Sequence, residues 1–150
     1  MSKAKQRAAT LGGSADEIEI AFYEALQKGD IDKLMACWAD EDEIICVHPG
    51  GPRMAGPSAI RASFEAMFEN GGAILARPTQ VRRVSSLTSA VHNLIEQVEL
   101  NTPKGVQTGY VIATNVYQRT AQGWRMVAHH ASPGTRSEVI DTENSPSTLH

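Results

Sequence analysis

Two cysteines, no apolar run of membrane-spanning length and no basic cluster beyond the first few residues set the outer limits on this 150-residue chain. Cys37 and Cys46 cannot build a disulfide framework and read as two free thiols of a reducing compartment. No stretch reaches the ~18 consecutive apolar residues that a spanning helix needs. The N-terminus "MSKAKQRAATLGG" has charge but no hydrophobic segment behind it, so a secretory signal is not expected and a cytoplasmic location is. A net charge of −3 with scattered Lys and Arg argues against a nucleic-acid surface. No glycine-rich phosphate loop follows a strand, no internal repeat recurs, and no histidine pair has the HExxH spacing of a zinc site. Ser132 lacks the nucleophile-elbow setting of a serine hydrolase.

What is present is one domain's worth of well-punctuated elements. "SADEIEIAFYEALQKGD" predicts a helix: Ser14 and Glu17 fit a capping box, Ile18, Ala21, Phe22, Ala25 and Leu26 form an apolar stripe, and Gly29 offers a left-handed stop. Asp30 caps a shorter helix carrying Ile31, Leu34, Met35 and Trp38. "IICVHP" predicts a short buried strand, "GGPRMAG" a turn or hairpin. Pro57 opens a third helix with Ile60, Phe64, Met67 and Phe68 on one face. Long segments rich in Val, Ile, Thr and Tyr then alternate with the loops "SSLTS", "NTPKG" and "TAQG", and a last strand begins near Trp124. Helices first and an antiparallel meander last define an α+β fold. In "GYVIATNVY" both alternating sets are apolar, Val111, Ala113 and Tyr117 against Tyr110, Ile112 and Val116. A second copy of the chain covering the outer face, a homodimer, is the expectation.

The motifs "CVHPGG…MAG" and "ATNVY…GWRMVAHHASP", after a second helix ending in Trp, resemble the SnoaL-like branch of the nuclear transport factor 2-like superfamily. The "W…H.S" ending is also similar to the association domain of calcium/calmodulin-dependent kinases. The resemblance runs over residues 14–133, with 1–13 as a flexible leader and 134–150 as a polar tail. It implies a cone: a strongly curved antiparallel sheet wrapped around three helices, with a pocket at the open end, in a dimer. The superfamily includes ketosteroid isomerases, dehydratases, cyclases and non-catalytic members, so the fold does not decide the activity. No version of the isomerases' tyrosine-plus-acid arrangement is recognisable in the sequence.

Within that frame, clean alternation of the last strand places His130 inward and His129 outward. An imidazole suits proton transfer; a core histidine bonded to a backbone carbonyl is the structural alternative. Glu96 falls in the more apolar set of "VHNLIEQVEL", with His92, Leu94, Val98 and Leu100. Burial would raise its pKa and fit it as a general acid or base, whereas a bulge would turn it out to water. His130 and Glu96 are therefore the catalytic candidates. Trp38, His48, Met54, Phe64, Phe68 and Asn115 are the candidate ligand contacts, each also explicable as core or turn structure. The expected ligand is a small apolar molecule, handled without a cofactor or metal by isomerisation, dehydration or cyclisation. The alternative is a binding or association module acting through its dimerising sheet face.

Overall fold

The computed structural model describes residues 12–135; the expected leader and tail fall almost wholly outside the described residues. Within them, α1 (Ala15–Lys28), α2 (Ile31–Ala36), β1 (Ile45–Val47), β2 (Arg53–Ala55) and α3 (Pro57–Gly71) precede four long strands. These are β3 (Ala76–Ser85), β4 (Ser89–Thr102), β5 (Gly105–Thr120) and β6 (Gly123–Pro133). None of the described helices is long and apolar enough to cross a membrane.

Local chemistry sets the helix ends. The Ser14 hydroxyl accepts from the Glu17 amide at 3.1 Å. Glu17 reaches back one residue further than a strict capping box, to the Gly13 amide at 2.9 Å. Gly29 adopts φ 64°, the left-handed conformation that a side chain resists, and closes α1. Asp30 accepts from the Lys33 amide and starts α2 at once. Pro57 occupies the first turn of α3, where a missing amide hydrogen costs nothing.

The strands form one six-stranded sheet in the order β2-β1-β6-β5-β4-β3. The meander β3–β6 is antiparallel, as the sequence predicts. The expectation of a wholly antiparallel sheet is corrected at one point: β1 runs parallel to β6, pairing Cys46 with His129. The sheet is therefore mixed. The helices cover one face, and the core fills that side with Ile18, Phe22, Leu26, Leu34, Ile60, Phe64, Leu94 and Ala113.

Two irregularities bend the register. In β3, three steps from Thr79 to Arg82 oppose two steps of β4, and Gln80 takes φ 52°. In β6, Met126 pairs with Tyr117 and Ala128 with Val116, leaving Val127 as an extra residue. Such a bulge inverts the inward–outward phase of everything beyond it. Its setting explains it. The Met126 amide donates to Cys37 O, and Met126 O accepts from Ala39, so the strand is held there by the chain leaving α2.

Candidate functional site

Because paired residues share a face, the register defines rows across the sheet. One inner row is polar through five strands: Cys46 of β1, His129 of β6, Asn115 of β5, His92 of β4 and Arg83 of β3. Helix α1 lies over this row and contributes Glu19 and Tyr23, four residues apart and both buried.

The Val127 bulge decides which of the two adjacent histidines belongs to the row. The expectation that His130 faces inward is corrected: His130 is exposed on the outer face, in register with Thr114. His129 is the buried imidazole, 4% exposed. Without a bulge the alternation from Trp124 would place His130 inside; the extra residue reverses it.

A directional hydrogen-bond chain joins the row to α1. The His129 Nδ1 donates to Asn115 Oδ1. Asn115 Nδ2 donates to the Tyr23 hydroxyl at 3.1 Å. The Tyr23 hydroxyl in turn donates to Glu96 Oε2 at 2.7 Å. Each donor points toward the carboxyl, which fixes the amide orientation and the histidine tautomer. Glu96 is buried as its strand pattern predicts. Desolvation pushes its pKa up to about 7, against the Tyr23 hydrogen bond, which pulls it down. Burial drives His129 the other way, down to about 3, helped by the nearby imidazoles of His48 and His130. Among these groups it is Glu96 that sits poised near neutrality; His129 stays neutral and orients Asn115.

Two of the other candidates, Phe64 and Trp38, meet the Phe22 ring. Its edge-on partners are Tyr23 at 5.1 Å, Phe64 at 6.2 Å and Trp38 at 6.4 Å between centroids, and His129 lies tilted at 5.3 Å. Phe68 continues the stack from Phe64. Trp38 is buried, and its indole Nε1 has no hydrogen-bond partner among the described residues. His48 is half-buried at the end of β1; its Nε2 donates to Ser63 Oγ at 3.1 Å, since that hydroxyl gives its own hydrogen to Ile60 O. Burial lowers the His48 pKa. Met54 packs against the core from β2, paired with Cys46. The Cys46 and Cys37 thiols are both pushed up to about 12 by burial, so neither is a nucleophile at neutral pH. A shallow groove of about 210 Å³ lined by Gln27, Leu75, Arg77 and Glu99 lies apart from this chain.

Tyr23 and Glu19 are not singled out by sequence reasoning, and His129 enters it only as the outward neighbour of His130. Glu19 and Tyr23 flank the apolar stripe of α1 at i and i+4, and a polar pair inside a buried helical face is the signal that marks them. A tyrosine and an acid do meet, Tyr23 and Glu96, although they are 73 positions apart.

The chain belongs to the SnoaL-like domain family, which it matches over residues 17–136. Among solved structures it is similar to a protein of Thiobacillus denitrificans provisionally assigned as a calcium/calmodulin-dependent protein kinase type II association domain. That pair shares 31% identity with TM-score 0.76, over 83% of this chain and 98% of the other. A protein of Streptomyces avermitilis provisionally assigned as a dehydratase of the NTF2-like family shares 27% identity with TM-score 0.72, over 86% and 97% of the two chains. The CaMKII hub of S. rosetta, at 18% identity and TM-score 0.63 over 79% and 92%, shares the fold. No curated protein matches.

Proposed function

We propose that the protein binds a small, largely apolar organic molecule inside a cone formed by the sheet, and that Glu96 exchanges a proton with it without a cofactor. The observation that carries this reading is the Glu96 carboxyl, buried among neutral groups and held by one hydrogen bond from Tyr23. A carboxyl near pKa 7 is present in both protonation states at physiological pH, the condition for general acid–base work. Asn115 and His129 orient the tyrosine. The Trp38 N–H, without a partner among the described residues, supports a ligand bearing an acceptor oxygen, because an unmet buried donor costs about 1–3 kcal/mol. Isomerisation, dehydration or cyclisation all need such a proton shift, and the resemblance to the Streptomyces protein supports the dehydratase variety.

The test is deuterium exchange at the carbon beside the carbonyl in a panel of cyclic ketones, followed by NMR in D₂O. The parent is expected to exchange one of them with a rate rising through pH 7, and E96Q to lose about 10²-fold or more. Exchange no faster than buffer across the panel, or equal in E96Q, removes proton transfer from Glu96.

A second reading, an association module, is favoured by the outer face. Ile45, Ala128, Val116, Val91 and Val84 form one apolar row across five strands. Val84 and Val91 are 76% and 40% exposed. The Thiobacillus association domain supports a second copy of the chain as the partner. The two readings are compatible, since one uses the inner and the other the outer face.

A further inference from the structure

The outer face of the sheet falls into rows as the inner one does. On the long strands, taken in the order β6, β5, β4, β3, one row is Ala128, Val116, Val91 and Val84. The next is His130, Thr114, Asn93 and Arg82, and beyond it come Ser132, Ile112, Ile95 and Thr79. Each row has nearly the same chemistry in both directions. The first is aliphatic throughout, the second runs basic, polar, polar, basic, and the third runs hydroxyl, isoleucine, isoleucine, hydroxyl. The pattern turns about a line between β5 and β4, the middle of these strands.

Such a face is complementary to itself. In an isologous contact residue i of one copy meets residue j of the other, and j meets i. A two-fold axis along the strands, between β5 and β4, lays Val116 on the partner's Val91, Ile112 on the partner's Ile95 and Ser132 on the partner's Thr79. In the middle row it lays Thr114 on the partner's Asn93. Within one copy Asn93 Nδ2 donates to Thr114 Oγ1 at 3.0 Å, which leaves the Thr114 hydroxyl hydrogen and Asn93 Oδ1 to bond across the axis. His130 falls on the partner's Arg82, and both positions are exposed. We infer that a second copy docks on these rows about that axis, with a His130–Arg82 contact at each end of the shared polar row. The pairing rests on the association reading and specifies it.

Charge selects this axis. The other two-fold the rows permit, along the polar row itself, would set Arg82 on the partner's Arg82, a repulsion at every pH. None of these rows holds a carboxylate. The next charge along the polar row is Arg53 on β2, beyond Val47. Arg77 stands in the row past Ile95, and Glu99 further out along β4. A neutral imidazole accepts a hydrogen from the facing guanidinium, whereas an imidazolium meets it as a like charge. Acidification therefore drives the copies apart.

Sedimentation equilibrium on the full chain between about pH 8 and pH 5, where imidazoles change charge, is the experiment. The dissociation constant of the parent dimer should rise about tenfold or more as pH falls. His130→Gln should dimerise as the parent does at the alkaline end and lose the pH dependence. Arg82→Glu should reverse it, because an imidazolium then meets a carboxylate across the axis, and its dimer should tighten on acidification. A parent dimer indifferent to pH, or a dependence that survives His130→Gln, overturns the inference and leaves the association reading standing. An Arg82→Glu protein that loosens on acidification like the parent, or stays single-chain throughout, overturns the axis. A parent that is single-chain at every pH removes the association reading itself, and this pairing with it.

Discussion

Folding moves one proton between two side chains on the inner face of the sheet. Glu96, with an ordinary value of 4.5, holds its proton to about pH 7 in the folded state, while His129, ordinarily 6.5, gives its own up until about pH 3. Below pH 4.5 the unfolded chain binds the extra proton through His129, so stability falls as pH falls toward 3. Above pH 6.5 the folded chain binds the extra proton through Glu96, so stability falls as pH rises toward 7. Between 4.5 and 6.5 the two effects cancel, and for these groups the unfolding free energy is flat. E96Q is expected to abolish the plateau: stability should climb from pH 4.5 to 6.5 by on the order of 2–3 kcal/mol, at about 1.4 kcal/mol per pH unit. Urea unfolding across that range reads it, and an E96Q profile as flat as the parent's would mean that Glu96 is not the buried acid described. At this scale Glu96 is legible from alternation alone, because β4 runs regularly from Ala90 to Val98. The choice between His129 and His130 is not, since a single bulged valine reverses it and nothing in "GWRMVAHH" announces the bulge. His130→Ala should accordingly leave stability within about 0.5 kcal/mol, whereas His129→Ala, which strips Asn115 of its buried donor, should cost about 2 kcal/mol or more by thermal denaturation.

Among the elements, short α2 carries a burden out of proportion to its length. Its exit strand pairs with Met126, fixes the β6 bulge and sets Trp38 against Phe22. Six residues do not hold a helix by propensity, so the Asp30 cap matters. Asp30→Ala is predicted to lower stability by about 1 kcal/mol in chemical denaturation and to raise protection-free exchange at the Ala39 and Met126 amides. Helix starts and stops are legible because capping is local chemistry, written in Ser14, Gly29, Asp30 and Pro57. The parallel pairing of β1 with β6 is invisible, because a three-residue strand joins a partner some eighty positions away with no crossover pattern to mark it.

For the whole molecule, the two faces of the sheet have different chemistry. The inner face interleaves a polar row with aliphatic ones; the outer face presents the valine row, then a polar row of Arg82, Asn93, Thr114 and His130, and beyond it Thr79, Ile95, Ile112 and Ser132. That both sets of β5 are apolar is legible in "GYVIATNVY", and so is the need for something to cover the second. Val91→Asp, at a half-exposed centre of the row, should leave the fold intact and shift the particle from twice the chain's 16.2 kDa to that of a single chain, as read by light scattering at micromolar concentration. A parent that is already single-chain there would end the assembly reading.

The geometry of the sheet's two borders also restricts how any such particle can grow. One border is β2, three residues long and entered through Pro52; the other is β3, interrupted by Pro78 and the kink at Gln80, and studded with Arg77, Arg82 and Arg83. Neither offers a long, flat ladder of unpaired amides to a newcomer. An incoming strand finds no long edge to extend on either border, so growth of the sheet into a continuous ribbon or fibril is disfavoured.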